Sequence, residues 1–121
     1  MWRYEITSGK MFDKNGKIVA TGYSGKGQYK NRADSTSMVG EGPLPVGHYT
    51  VCEPHTSAKT GPYAMNLLPA KSNTMYGRSA FQIHGDSVKA PGTASSGCII
   101  LPRTIRELIW NSGDRELEVV A

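Results

Sequence analysis

The chain has 121 residues, of which 38% are apolar, with 14 Gly and 7 Pro. This is the length of one small domain, and few apolar residues with many turn formers argue against a helical bundle and for short strands joined by long loops. The net charge of +4 comes from 14 Lys and Arg against 10 Asp and Glu, and because these cations are scattered, nucleic acid is not indicated as a partner.

The N-terminal part of the sequence predicts a β-hairpin. Residues 2–6 alternate large apolar with polar side chains, as a half-buried strand does, and residues 18–23 are predicted as the returning strand. Asn15-Gly16 between them is a strong hairpin turn signal. Residues 24–47 follow as a long loop, and loops of this length in small domains are usually functional or mobile.

The central part predicts three further strands with loops between them. They span residues 48–52, 63–68 and 79–84. In the last of these strands, Phe81 and Ile83 share one face, and Gln82 and His84 share the other, because successive side chains of a strand alternate. The loop that follows is rich in Gly and includes Pro91.

The C-terminal part predicts a helix between two strands. An apolar run at 98–101 and an alternating segment at 115–120 are the strands, and Pro102 suits the first turn of the helix. Ile105, Leu108 and Ile109 are spaced to form its apolar stripe. Gly113 is predicted to end it.

These elements add up to an all-β fold of about six or seven strands with one short helix near residues 102–112. One domain is expected over residues 1–121, since nothing in the chain marks a boundary or a repeat.

Targeting signals are not evident. No segment approaches the ~20 apolar residues of a transmembrane helix, and the N-terminus lacks the charged-then-apolar pattern of a cleaved signal peptide. The two cysteines, Cys52 and Cys98, are therefore predicted to be free thiols. Cys52 is interpreted as a packed small residue, and a disulfide between the two would count against a catalytic role for Cys98.

Two segments point to nucleophilic catalysis. His84 ends a predicted strand, and Cys98 begins an apolar run 14 positions later, after a loop that is able to fold back. An imidazole beside a thiol takes its proton, and the thiolate is a nucleophile. Gly97 has no side chain, so it can adopt the backbone angles that aim adjacent N–H groups at a developing oxyanion.

The same segments resemble a known signature. Residues 83–85 (Ile-His-Gly) and 95–99 (Ser-Ser-Gly-Cys-Ile) resemble the two halves of the L,D-transpeptidase (YkuD-like) motif, a His-Gly followed by Ser/Thr-His-Gly-Cys. Residues 42–51 are similar to the Pro-x-Gly-x-Tyr/Phe-Thr strand of that family. The likeness extends over nearly the whole chain and is strongest to the compact domains that serve as antibacterial effectors of type VI secretion systems. Ser96 stands where the family has its second His.

The resemblance implies an L,D-transpeptidase-like β-sandwich or barrel and a cysteine enzyme that needs no cofactor. Such enzymes act on peptidoglycan stem peptides as L,D-carboxypeptidases or as L,D-transpeptidases that exchange a terminal D-amino acid. The short spacing between His84 and Cys98 favours hydrolysis or exchange over cross-linking of two stems. An effector of this kind would be secreted without a cleaved signal peptide, would act in the periplasm of a Gram-negative target cell, and would require a cognate immunity protein in the producing cell.

The resemblance also assigns site residues. It implies that Cys98 is the nucleophile, that His84 is the general base, and that N–H groups around Gly97 and Cys98 stabilise the oxyanion. Ser95 and Ser96 precede the nucleophile and are expected at the substrate.

Three charged residues near these motifs are further candidates. Arg78 and Arg103 flank them in sequence, and either guanidinium is able to bind a substrate carboxylate by a two-point contact. Asp86, two residues after His84, is a candidate to orient the base, and a backbone carbonyl is the alternative.

Three rival interpretations stay open. The first is a zinc site made of His84, Asp86 and Cys98 with His48 or His55, which predicts inactivation by a chelator. The second is another class of cysteine hydrolase, although the cell-wall amidases and endopeptidases generally carry Cys before His in the chain. The third is a non-catalytic module that binds the cell wall or builds a secretion or phage particle.

Overall fold

The computed structural model describes residues 1–121 and contains ten β-strands and one α-helix. The elements are β1 (Trp2–Glu5), β2 (Lys10–Phe12), β3 (Ile18–Thr21), β4 (Tyr23–Ser24), β5 (Gly47–Val51), β6 (His55–Ser57), β7 (Gly61–Pro69), β8 (Gln82–His84), β9 (Ile99–Ile100), α1 (Arg103–Asn111) and β10 (Glu116–Val120). The expectation of an all-β fold with one short helix near residues 102–112 is confirmed. Two 3-10 turns, at Gly27–Tyr29 and Ala33–Ser35, lie within the predicted long loop.

Nine strands follow one another in the hydrogen-bonded order β3-β2-β1-β10-β5-β7-β8-β9-β4, and β6 pairs with β7. Most neighbours are antiparallel, whereas β1 with β10 and β8 with β9 are parallel. The parallel pair β8–β9 sets Ile83 opposite Ile99 and His84 opposite Ile100. Cys98 directly precedes β9, so this pair places it beside β8.

The partner predicted for the first strand is wrong. The Asn15-Gly16 turn joins β3 to β2, a strand that was not predicted, while β1 lies between β2 and β10. The Asp13 carboxylate closes the turn by accepting the N–H groups of Asn15 at 2.9 Å and Lys17 at 3.0 Å. An earlier reversal at Gly9, whose φ is +73°, separates β1 from β2, and this left-handed conformation is one that glycine adopts readily.

The predicted strand at residues 18–23 is interrupted at Gly22. β3 ends before this glycine. β4 begins after it and pairs with β9 rather than with β2. A Cβ at Gly22 would collide with the carbonyl oxygen of Ile100, so the close approach of the two segments depends on the missing side chain. The interruption places β4 beside the segment that carries Cys98. In the same way, β6 forms within the predicted loop at 53–62 because it pairs with β7.

Sixteen buried apolar side chains form the core. They are Trp2, Tyr4, Ile6, Met11, Leu44, Tyr49, Val51, Met65, Leu67, Phe81, Ile83, Ile99, Leu101, Ile109, Leu117 and Val119. Ile83 and Ile99 are fully buried, so the inner faces of β8 and β9 are fixed in the core. The opposite face of β8 carries Gln82 and His84, because strand side chains alternate.

The helix α1 packs against β7 and β8. Ile109 is buried as predicted, but Leu108 is 46% exposed, and the Arg106 side chain is buried instead. The apolar stripe is thus narrower than the sequence spacing suggests. The nine residues of α1 are too few for a helix that crosses a membrane.

Candidate active site

A cavity of about 520 Å³ has both Cys98 and His84 in its wall. Its other walls come from the loop at residues 39–40, the turn between β6 and β7, and residues 77–82. The segment at 76–80 carries two non-glycine residues in the left-handed region, Tyr76 with φ of +55° and Ala80 with φ of +64°. Strained backbone of this kind clusters at functional sites.

The parallel pairing of β8 and β9 brings Cys98 and His84 together. The register sets Cys98 beside Gln82, whose backbone N–H donates to Sγ of Cys98 at 3.2 Å. His84 lies two residues further along β8, on the same face as Gln82 because strand side chains alternate. The two candidate catalytic side chains are thus diagonal neighbours on the cavity side of the sheet.

The His84 imidazole is buried and its tautomer is defined by its surroundings. Nδ1 lies 2.8 Å from the carbonyl oxygen of Gly85, and because a carbonyl oxygen only accepts, Nδ1 carries the proton. The Nε2 lone pair is therefore free to take a proton. Burial lowers the pKa of His84, and this outweighs the raising effect of the hydrogen bond to Gly85, so the ring is a neutral base at neutral pH.

The Cys98 thiol is free, as is that of Cys52. Burial raises the pKa of Cys98, and this outweighs the opposing effects of the Gln82 N–H and of the Lys59 and Arg78 charges. With a raised thiol pKa beside a lowered imidazole pKa, the resting pair is a neutral thiol and a neutral imidazole. The sulfur becomes nucleophilic when its proton is transferred to a base.

Ser95 holds the loop of the nucleophile. Its side chain is 1% exposed; its hydroxyl donates to the Cys98 carbonyl at 2.6 Å and accepts the N–H groups of Gly97 at 3.0 Å and Gly25 at 2.9 Å. With its hydroxyl fully used and buried, Ser95 does not reach a substrate. The expectation that Ser95 contacts substrate is corrected: it positions Cys98.

Gly97 is required by the space around it. Its φ is +139°, and a Cβ there would lie 2.6 Å from Cε1 of Phe81 and 2.7 Å from Nη2 of Arg78. The sequence analysis expected the Gly97 N–H to stabilise an oxyanion. This expectation is wrong, because that N–H already donates to Ser95. The Cys98 N–H has no carbonyl or side-chain oxygen acceptor, which leaves it as the donor available for an oxyanion.

The guanidinium of Arg78 is bound by backbone carbonyls of the protein itself. It donates to the carbonyl oxygens of Thr36, Gly42, Pro43 and Ser96, and the side chain is 7% exposed. A two-point contact with a substrate carboxylate, as the sequence suggested, is therefore not open to it. It clamps the loop at 36–43 against the nucleophile loop and keeps a positive charge near Cys98.

Arg103 lies outside the cavity of Cys98. It is exposed at the start of α1, where its guanidinium stacks 4.8 Å from the centre of the Tyr63 ring and pairs with Glu107 at 3.2 Å. It lines a neighbouring cavity of about 400 Å³. Of the four residues expected to bind substrate, only Ser96 both lines the cavity of Cys98 and has an exposed side chain.

Asp86 does not orient His84. Its carboxylate accepts the Tyr23 hydroxyl at 2.6 Å and the N–H groups of Ser87 at 2.8 Å and Gly92 at 3.1 Å. It anchors the loop between β8 and β9, while the Gly85 carbonyl, the alternative considered from sequence, contacts the imidazole.

The side chains proposed as zinc ligands do not come together as a set in the structure. No group of three or more His, Cys, Asp or Glu side chains is close enough to hold a metal ion. His48 lies on β5, 3.9 Å from Glu118, and His55 lies on β6. Neither lines the cavity of Cys98.

Thr60, which the sequence did not single out, connects the turn between β6 and β7 to β8. The Thr60 hydroxyl donates to Oε1 of Gln82 at 2.9 Å, and Nε2 of Gln82 donates to Oδ1 of Asn66 at 2.8 Å. Lys59 precedes Thr60 and also lines the cavity. The polar composition of residues 57–61 is the only signal in the sequence, and it predicts a turn without saying what the turn faces.

Comparison with known proteins shows the fold and the family of this chain. The crystal structure of L,D-transpeptidase (Yku) from Stackebrandtia nassauensis matches with a probability of 1.00 and a TM-score of 0.59 at 16% identity, over 99% of this chain and 54% of that one. The chain thus has an L,D-transpeptidase-like fold and spans about half the length of that protein. Residues 18–120 match the model of the Tlde1 domain, and the chain belongs to this family. A search of curated proteins gives no match.

The resemblance drawn from the sequence motifs is thereby confirmed at the level of family and fold.

Proposed function

We propose that this domain is a cysteine-dependent L,D-carboxypeptidase and L,D-transpeptidase that removes or exchanges the terminal D-amino acid of peptidoglycan stem peptides. One observation carries the proposal: Cys98 and His84 line the same cavity, and the Gly85 carbonyl fixes His84 with Nε2 free. This arrangement provides a nucleophile and an oriented base, which acyl transfer requires.

The first half-reaction forms a thioester. Nε2 of His84 takes the thiol proton as Sγ of Cys98 attacks the carbonyl carbon of the amide between the diamino acid and the D-amino acid. The Cys98 N–H is placed to donate to the oxyanion, and the Gln82 N–H, 3.2 Å from Sγ, stabilises negative charge on sulfur. The C–N bond then breaks, and the leaving amine takes the proton from His84.

The second half-reaction releases the acyl group. His84, now neutral again, takes a proton from water or from the amine of an incoming D-amino acid as that group attacks the thioester. The C–S bond breaks, and the thiolate recovers the proton from the imidazolium. Water gives the shortened stem, and an amine gives the exchanged one.

The biological setting belongs to the same proposal. Membership of the Tlde1 domain family supports an antibacterial toxin that reaches the periplasm of a Gram-negative target cell, together with a cognate immunity protein that protects the producing cell. The surplus of cations over anions, 14 against 10, suits an anionic cell-wall polymer.

Product analysis tests the reaction. Soluble muropeptides incubated with the protein are expected to lose one D-alanine from tetrapeptide stems, and to gain D-methionine in its place when that amino acid is added. Mass spectrometry of the separated muropeptides measures both. Cleavage between sugars, cleavage at another peptide bond, or chiefly new cross-links between stems would contradict the proposal. Unaltered muropeptides that still bind the protein would favour the non-catalytic module.

A further inference from the structure

The cavity of Cys98 is lined by cations and by no carboxylate. Its fifteen lining residues include Lys59 and Arg78 but no Asp or Glu. The guanidinium of Arg78 is covered by four backbone carbonyls. Lys59 is exposed and takes part in none of the ion pairs of the structure. Its ammonium group is therefore the cation available to a ligand in this cavity.

The turn between β6 and β7 holds the backbone of Lys59 in place. The hydroxyl of Ser57 accepts the N–H groups of Lys59 at 3.2 Å and Thr60 at 3.1 Å, which fixes the turn. The Thr60 hydroxyl then donates to Gln82, whose backbone N–H contacts Sγ of Cys98. Two hydrogen bonds thus connect the turn to the nucleophile, so the backbone of Lys59 has a defined position relative to the sulfur.

Asp86 is the one carboxylate that shares a cavity wall with Lys59, across an adjoining cavity of about 350 Å³. Its oxygens already accept hydrogen bonds from Tyr23, Ser87 and Gly92, and no ion pair joins it to Lys59. The charge of Lys59 therefore lacks an internal partner. An unpaired cation beside a nucleophile is suited to an anionic substrate group.

We propose that Lys59 binds the carboxylate of the terminal D-amino acid, so that the enzyme selects stem peptides that end in a free carboxylate. The inference rests on the proposed function and names a specificity residue for it. In the substrate this carboxylate is one carbon away from the nitrogen of the amide that Cys98 attacks. Any group that holds it must therefore lie in the cavity of the nucleophile, as Lys59 does.

The same subsite serves the exchange reaction. An incoming D-amino acid must attack along the path by which the leaving one departs, because the two half-reactions are the reverse of each other when the amine is the acceptor. Its carboxylate then meets Lys59 as well. A D-amino acid is thus a better acceptor than its amide.

Paired substrates test this assignment. Two stem tetrapeptides are compared that differ only in ending in D-alanine or in D-alaninamide. The wild type is expected to prefer the free acid by about tenfold or more in kcat/KM, the effect of one charge-assisted contact. Lys59→Gln should lose most of that preference through KM for the acid, and Lys59→Arg should retain it. Lys14→Gln removes the same charge from an exposed turn and should leave the ratio unchanged.

The ratio of the two substrates separates recognition from other effects. Any influence of Lys59 on folding or on the reactivity of the thiol acts on both substrates alike and cancels. A preference for the acid that persists in Lys59→Gln, or a wild type without preference, overturns the assignment while the proposed function stands. A wild type that cleaves neither peptide overturns both.

Discussion

Replacement of Cys98 by alanine is expected to abolish release of D-alanine from stem tetrapeptides, with a fall in kcat/KM of at least about 10⁴-fold. Without the sulfur no thioester forms, and Cys98 is the single cysteine in the cavity that His84 lines. The loss of the contact between Sγ and the Gln82 N–H costs only about 1 kcal/mol, so the variant should remain folded. Coupled detection of D-alanine measures the rate, and thermal unfolding checks the fold.

Cys52→Ala is the matched control. Cys52 is a free thiol outside the cavity, so this variant is expected to keep the wild-type rate. Equal activity of Cys98→Ala and Cys52→Ala would assign the reaction to another group and remove the basis of the mechanism.

His84→Ala is expected to lower kcat/KM by about 10²- to 10⁴-fold, the range that a positioned general base contributes. The raised pKa of Cys98 makes this loss large, because the thiol does not ionise by itself at neutral pH. Initial rates at pH 7 for the wild type, His84→Ala and His48→Ala measure it. The third variant lacks an exposed imidazole on β5 and should behave as the wild type does.

The pH dependence follows from the same imidazole. Since burial lowers the pKa of His84, kcat/KM should stay high below the ordinary imidazole pKa of about 6.5 and fall only when pH drops through the lowered value. Between the ordinary pKa of about 6.5 and the lowered one, the unfolded chain binds a proton that the folded chain resists, so the free energy of unfolding falls as pH decreases through this window. An acid limb above pH 6.5, or the same limb in His84→Ala, would contradict the role given to His84.

The sequence predicted those parts of the fold that depend on local signals. The Asn15-Gly16 turn and the helix between Pro102 and Gly113 are set by residues close to one another in the chain. By contrast, β2 has only three residues, and β4 has two. Strands this short are defined by their partners rather than by their own alternation, so a single-sequence pattern does not reveal them.

The same difference between local signals and contacts of distant segments applies to the candidate active site. The flanking motifs located Cys98 and His84, but the roles of their neighbours depend on contacts across the chain. Arg78 was expected to face a substrate carboxylate, and its carbonyl partners at 36–43 lie about 35 to 42 positions away. No sequence motif indicated Lys59 as a functional residue. Its place beside the nucleophile follows from the pairing of β7 with β8, which the sequence alone does not specify.

Catalysis through a thioester on Cys98 is tested by how that intermediate partitions between water and a second acceptor. Tetrapeptides ending in D-alanine and in D-methionine are hydrolysed in the presence of hydroxylamine, and the ratio of tripeptide hydroxamate to free tripeptide is measured by mass spectrometry. Both substrates pass through the same acyl-enzyme, so the same ratio is predicted for both, with no hydroxamate from Cys98→Ala. A ratio that depends on the leaving group, or turnover that yields no hydroxamate, would contradict a covalent intermediate on Cys98.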